Sequence, residues 1–304
     1  MNLLKSTLLL STLIFAQAAL AQIEDRKGLV AKNAELVKVQ DGFIFTEGPA
    51  TNRFGDVFFT DQPNNRIHKW NAITNEVTVF KEDAGRSNGL FFMLDGKLVA
   101  AADEANQLWL IDKDGSEEVL VSAFRGNKLN GPNDIWLVPK GGMYFTDPLY
   151  ARPYWEGTRG IESEQDGEHV YYLSADKTQL FRVTEDLIKP NGIIGTPDGK
   201  MLYIADPGAK KTYKYEIRDD GYLINKELFC EMGSDGMTID ERGNVYLTGD
   251  GVTVFNKSGD QIAHITVPAK WTSNVAFGAL DRKTLFITAM DAVYTLQMKS
   301  RGVW

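Results

Sequence analysis

The sequence predicts an all-β fold, a six-bladed β-propeller with four antiparallel strands per blade, and three observations carry that reading. A tight turn followed by an apolar β run recurs six times, the turn positions stand 41, 45, 58, 44 and 40 residues apart, and no amphipathic helix of convincing length interrupts the series. A period near 40–45 residues holding four strands is what propeller blades require.

The repeats, in order, are "RFGDVFFTDQ" (53–62), "LDGKLVAAAD" (94–103), "KGGMYFTDPL" (140–149), "PDGKMLYIAD" (197–206), "ERGNVYLTGD" (241–250) and "DRKTLFITAM" (281–290). Gly55, Gly96, Gly141, Gly199 and Gly243 anchor five turns, and Lys283 takes the sixth place. Runs rich in Val, Ile, Tyr, Phe and Thr after such turns are hairpin strands. The last repeat supplies three strands, "NVAFGA", "TLFITAM" and "AVYTLQM", and "ELVKVQDGFIF" (35–45) supplies one more. The N-terminal strand is therefore expected to complete the last blade, which closes the ring and covers both sheet edges.

The 58-residue interval contains an insertion at 149–169, rich in Tyr, Trp and charge. It reads either as a solvated loop packed over an aromatic or as a lid whose Tyr150, Tyr154 and Trp155 touch substrate.

Residues 1–21, "MNLLKSTLLLSTLIFAQAALA", combine an early Lys, a short apolar run and a terminal Ala-Leu-Ala. This is the pattern of a cleaved secretory signal peptide. The run is too short to span a bilayer, which takes about 20 apolar residues. A periplasmic or secreted propeller over 22–304, with no stable membrane anchor after cleavage, is the expectation. Loss of Lys5 takes the formal net charge from −8 to −9, which argues against nucleic acid as a partner. Cys230 is the only cysteine, so no disulfide forms within the chain, and its apolar strand marks it as a core residue. His68, His169 and His264 lack the spacing of a shared zinc site.

Eight residues before each glycine anchor stand Glu47, Asn88, Asn133, Asn191 and Asp235, and Asn274 stands nine before Lys283. Equivalent positions in six blades form one ring about the axis. A ring of carboxylate and carboxamide oxygens suits a hard cation, Ca²⁺ before Zn²⁺, Mn²⁺ or Mg²⁺, with Glu47 and Asp235 balancing its charge. Asp61, Asp103, Asp147, Asp206 and Asp250 also recur, after the second strand, and read as turn residues.

At these residues the sequence resembles the family that unites gluconolactonases, the senescence marker protein and luciferin-regenerating enzymes. "EGP" at 47–49, "GPND" at 131–134, "KPNG" at 189–192, "GSDGM" at 233–237 and "NVAFG" at 274–278 follow its motifs in order, over about Glu35 to Lys299. The resemblance implies one divalent metal in the channel, held by Glu47, Asn191 and Asp235. It makes Asn133 either a fourth ligand or a catalytic substrate contact. Asn88, Asp134 and Asn274 become substrate-side residues. A related calcium propeller, diisopropyl fluorophosphatase, carries a histidine where this chain has Asn274, which counts against organophosphate hydrolysis.

The chemistry so implied is metal-dependent hydrolysis of a small sugar lactone, with Asp235 as general base or as nucleophile. The protein is expected to work as a monomer or weak dimer. Two alternatives stand beside it: hydrolysis of another ester or a phosphotriester on the same site, and a non-enzymatic propeller that the metal only stabilises.

Overall fold

The computed structural model describes residues 22–303, and the leader expected over 1–21 lies outside the described residues. Six antiparallel blades follow one another along the chain, each with its strands in sequence order apart from the N-terminal strands added to the last two, and a two-stranded ribbon pairs Ala123–Phe124 with Asn127–Lys128. Blade I spans 46–82, blade II 90–121, blade III 135–184, blade IV 193–230, blade V 237–265 and blade VI 274–297.

The second strands are buried almost throughout, and Val57–Asp61, Leu98–Ala102, Met143–Asp147 and Val245–Gly249 are buried at every position. Both faces of such a strand meet a neighbouring blade, so the sequence there is a continuous apolar run rather than an alternation. Outer strands such as Glu117–Val121 are mostly exposed.

Ring closure follows the expectation. Val37–Asp41 pairs with Ala292–Gln297 as the outer strand of blade VI, so the two ends of the chain share one sheet. Phe59 and Trp70 of blade I pack on Phe286 of blade VI across the closure, at ring-centroid distances of 5.5 and 5.3 Å. One strand was not anticipated: Ile23–Asp25 pairs with Gln261–Ile265 and gives blade V a fifth strand.

The six turns share one geometry. In each, a left-handed residue donates its backbone N–H to the carbonyl three residues earlier, as Gly55 does to Asn52 and Gly243 to Asp240. In blade VI that residue is Arg282, at φ 58° with its N–H on Ala279, and not Lys283. Asn274 then stands eight residues before its turn like the other five, and the apparent offset of nine disappears.

Candidate functional site

The ring positions are set by backbone hydrogen bonds that repeat from blade to blade. The N–H groups of Asn88, Asn133 and Asn191 bond the second-strand carbonyls of Ala101, Thr146 and Ala205 at 2.9–3.0 Å. In four blades a glycine follows the ring residue, and the reason is contact around the axis. A Cβ on Gly48 would strike the carbonyl oxygen of Asn88, one on Gly89 that of Asn133, and one on Gly236 the Asn274 carboxamide. On Gly192 it would stand 2.7 Å from the carbonyl oxygen of Asp235. The "EG", "NG" and "DG" pairs are thus the close-packed hub of the propeller.

The recurrent aspartates do more than the turn reading gave them, although Asp206 also accepts the Ala209 N–H and Asp61 the Asn64 amide in the turns that follow. Asp61 accepts the N–H groups of Ile44 and Phe45, Asp147 those of Asn130 and Gly131, and Asp206 those of Ile188 and Lys189. Each pair lies three and two residues before a ring residue. A carboxylate at the end of the second strand therefore clamps the backbone that delivers the next ring side chain. Burial pushes Asp147 up to about 7 even though the amides of Asn130 and Gly131 favour its charged form. Asp103 instead pairs with Arg159 at 2.8 Å and with Gln62 at 2.9 Å, and burial outweighs Arg159 to hold it at about 6. Asp250 is exposed.

Within the ring, Asp235 is held from both sides. Trp271 donates its indole N–H to Oδ2 at 2.6 Å, and the Asn191 amide donates to Oδ1 at 2.8 Å. The same amide nitrogen reaches Tyr150 Oη at 2.9 Å, which leaves Asn191 Oδ1 buried without a partner. Glu47 Oε2 accepts the Gly48 N–H at 2.9 Å and the Asn274 amide at 3.3 Å. Both polar atoms of the Asn88 side chain are buried and unpartnered.

Three carboxyl groups are thus enclosed together. Burial raises Glu47 well above the usual range, and the charges of Asp235 and Asp134 add to it. Burial and the Asp235 charge do the same to Asp134. Asp235 is raised by burial, against the opposing pull of Trp271, Arg152 and Asn191. No cluster of three or more acidic, His or Cys ligands converges on one point among the described residues. The donor set is mixed: carboxylate oxygens of Glu47 and Asp235 beside the orphaned carboxamide oxygen of Asn191. That all-oxygen set, short of positive charge, fits a hard divalent cation.

A cavity of about 550 Å³ opens over Asn191 and Asp235, walled by Phe45, Tyr150, Arg152 and Trp271. A second cavity, of about 360 Å³, lies against the first strands beyond the ring, and Asp134 and Asn274 line that one. Asn274 donates to both oxygens of Asp134 at 3.1 and 3.3 Å, while its own oxygen accepts the Val275 N–H. Asp134 and Asn274, expected beside the substrate, therefore line the other cavity, although Asn274 also donates to Glu47 of the ring. Asp134 differs because it stands one position after the ring residue, where four blades have glycine and blade VI has Val275. Asn133 is buried at its ring position, and its carbonyl accepts the Gly89 N–H at 2.7 Å.

Of the three aromatics in the insertion only Tyr150 faces the cavity. Tyr154 bonds Gln62 at 2.6 Å, and Trp155, fully buried, lies under Arg159. Trp155 thus supports the loop and is not part of the cavity wall. Arg159 on Asp103, and Lys189 on Leu149 and Glu168, tie the insertion down. Sequence reasoning missed Trp271 and Arg152. The signals available were Trp271 three residues before Asn274, and Arg152 among the insertion's aromatics.

The chain matches the family model described as the SMP-30/Gluconolactonase/LRE-like region over residues 45–291. It is 27% identical to the gluconolactonase of Zymomonas mobilis, over 85% of this chain and 80% of that protein. It is also 27% identical to lactonase drp35 of Staphylococcus epidermidis, over 77% of this chain and 73% of the relative. The solved structure of a gluconolactonase from Xanthomonas campestris superposes with a TM-score of 0.84 at 25% identity, covering 91% of this chain and 95% of that one.

Proposed function

The chain belongs to the SMP-30/gluconolactonase/LRE-like family, and from that premise we propose that it is a sugar-lactone hydrolase working with one divalent cation, Ca²⁺ first. Gluconolactonase and lactonase relatives, matched over most of their length, support the reaction class. The observation that carries the site is Asp235, held between Trp271 and Asn191 on the floor of the 550 Å³ cavity.

Glu47, Asn191 and Asp235 would hold the cation, with Asn133, the ring residue of the blade before Asn191, to complete the set. Bound there, the cation supplies Lewis-acid polarisation of the lactone carbonyl and offsets the buried carboxylates. The protein does the rest. Trp271, its indole N–H kept on Asp235, supplies an aromatic wall for a sugar ring. Asp235, its carboxylate fixed by two donors, takes a proton from the water that attacks the carbonyl carbon. The C–O bond to the ring oxygen breaks, that oxygen is protonated, and the product is the open hydroxy acid. The leader-like residues 1–21 support work in the periplasm or outside the cell.

The test is δ-gluconolactone hydrolysis by residues 22–304, measured above the spontaneous rate after metal stripping and after separate addition of Ca²⁺, Zn²⁺, Mn²⁺ and Mg²⁺. Activity restored by one ion and reduced at least about 100-fold by Asp235→Asn is the expected result. Undiminished activity in the stripped protein would overturn the metal-dependent reading.

A further inference from the structure

Arg152 lines the cavity over Asp235 and has no carboxylate within ion-pair distance among the described residues, although the charges of Asp103, Asp235 and Glu47 act on it from farther away. It lies 4.7 Å over the Tyr150 ring and 6.0 Å from the Phe45 centroid, and it forms part of the cavity wall that holds Asp235 and Trp271. Its Nε is buried and unpartnered, and its side chain makes no hydrogen bond or ion pair with any described residue. Other arginines around it are neutralised: Arg159 by Asp103 at 2.8 Å and Arg86 by Glu104 at 3.3 Å. Asp235 makes no contact ion pair with it: Trp271 and Asn191 donate to its two oxygens, and Arg152 acts on it only through its charge. A charge held this way is costly unless something supplies the missing acceptors.

The rest of the wall narrows what that something is. Lys189 also lines the cavity, but Glu168 at 2.8 Å and the Leu149 carbonyl at 2.9 Å satisfy it. Lys210 stands exposed at the rim, with no ion pair to a described residue. Arg152, with Lys210 outside it, therefore presents positive charge to whatever enters. The planar fork matches a carboxylate or phosphate with two parallel hydrogen bonds, while a sugar hydroxyl engages it weakly.

We propose that the lactone this site is built for carries an anionic group, a carboxylate or a phosphate, away from the scissile carbonyl, and that Arg152 is the specificity-determining residue that binds it. The inference rests on the lactone-hydrolase reading of the same cavity.

The experiment compares neutral δ-gluconolactone with glucarolactone and 6-phosphogluconolactone, on wild type, Arg152→Met and Arg152→Lys, each loaded with the activating metal. The expected result is a kcat/KM for one anionic lactone at least about tenfold above that for the neutral one, carried by KM. Which anionic lactone gains tells carboxylate from phosphate. Arg152→Met, which keeps the stem over Tyr150, should erase the preference, and Arg152→Lys should restore part of it. Raising salt on wild type should raise KM for the anionic lactone more than for the neutral one, a readout that needs no variant. Equal rates on neutral and anionic lactones would overturn the proposal. So would an Arg152→Met loss shared evenly by both, since that would place the guanidinium at the common carbonyl. Calorimetry with glucarate separates the two levels of argument. Binding to wild type but not to Arg152→Met, with no lactone hydrolysed, would keep the anion site and discard the lactonase reading. No glucarate or phosphate-lactone binding at all would overturn the anion site itself.

Discussion

The indole N–H of Trp271 meets Asp235 Oδ2 at 2.6 Å, so a residue from the loop entering blade VI orients the carboxylate of blade V. This bond favours the charged form of Asp235. Trp271→Phe keeps an aromatic wall and removes the donor. The acid limb of kcat/KM against pH should then move to higher pH, and kcat/KM at its plateau should fall about tenfold. A pH–rate profile of the variant checks both. An unmoved limb would mean that Asp235 is not the titrating base.

Asn191 spends its amide on Asp235 and Tyr150 and keeps Oδ1 for the channel. Asn191→Leu removes both functions at nearly constant volume. Cation affinity, measured by calorimetry on the stripped protein, should drop at least about tenfold. Wild-type affinity in the variant would remove Asn191 from the ligand set.

The hub tolerates no side chain at Gly48, where φ is +45° and a Cβ would strike the Asn88 carbonyl oxygen. Gly48→Ala should cost about 2–4 kcal/mol of stability, combining left-handed strain with overpacking. Urea unfolding measures it. The same change at Gly115, where a Cβ would meet no heavy atom within 4 Å, should cost less because only the φ penalty of its +85° remains.

Asp147 gives the folded state a proton affinity that the unfolded chain lacks, about 7 against an ordinary 3.8. Between roughly pH 4 and 7 the folded protein holds a proton that the unfolded chain has released. That contribution is present in full below the unfolded value and is lost as pH rises through the folded one. Stripped wild type should therefore lose melting temperature from pH 4.5 to 7.5 more steeply than Asp147→Asn does. Parallel slopes for the two proteins would refute the assignment.

Much of this molecule was legible without coordinates because a propeller repeats its backbone. Each turn, with its left-handed residue and its N–H bonded three residues back, is a local event that recurs with the blade period. The ring residues inherit that period, so Glu47, Asn88, Asn133, Asn191, Asp235 and Asn274 stood out from sequence as one set. The aspartates at 61, 147 and 206 recurred just as visibly. Their work was hidden because the amides they bind lie 16–18 residues away in sequence and meet them only once the blade is folded.

By itself the sequence determined six blades, closure by the strand at Val37–Asp41, and the phase of the polar ring, all consequences of regular strand pairing. The tertiary structure alone decided which side of the ring each polar group serves. Asp134, one residue beyond the ring position, lines the cavity that Asp235 does not, although its charge still reaches Glu47 and Asp235. It also decided the walls: Arg152 from an irregular insertion in blade III and Trp271 from the loop before blade VI converge because the ring closes. Loops carry no period, and their meeting depends on the packing of blades far apart in the chain.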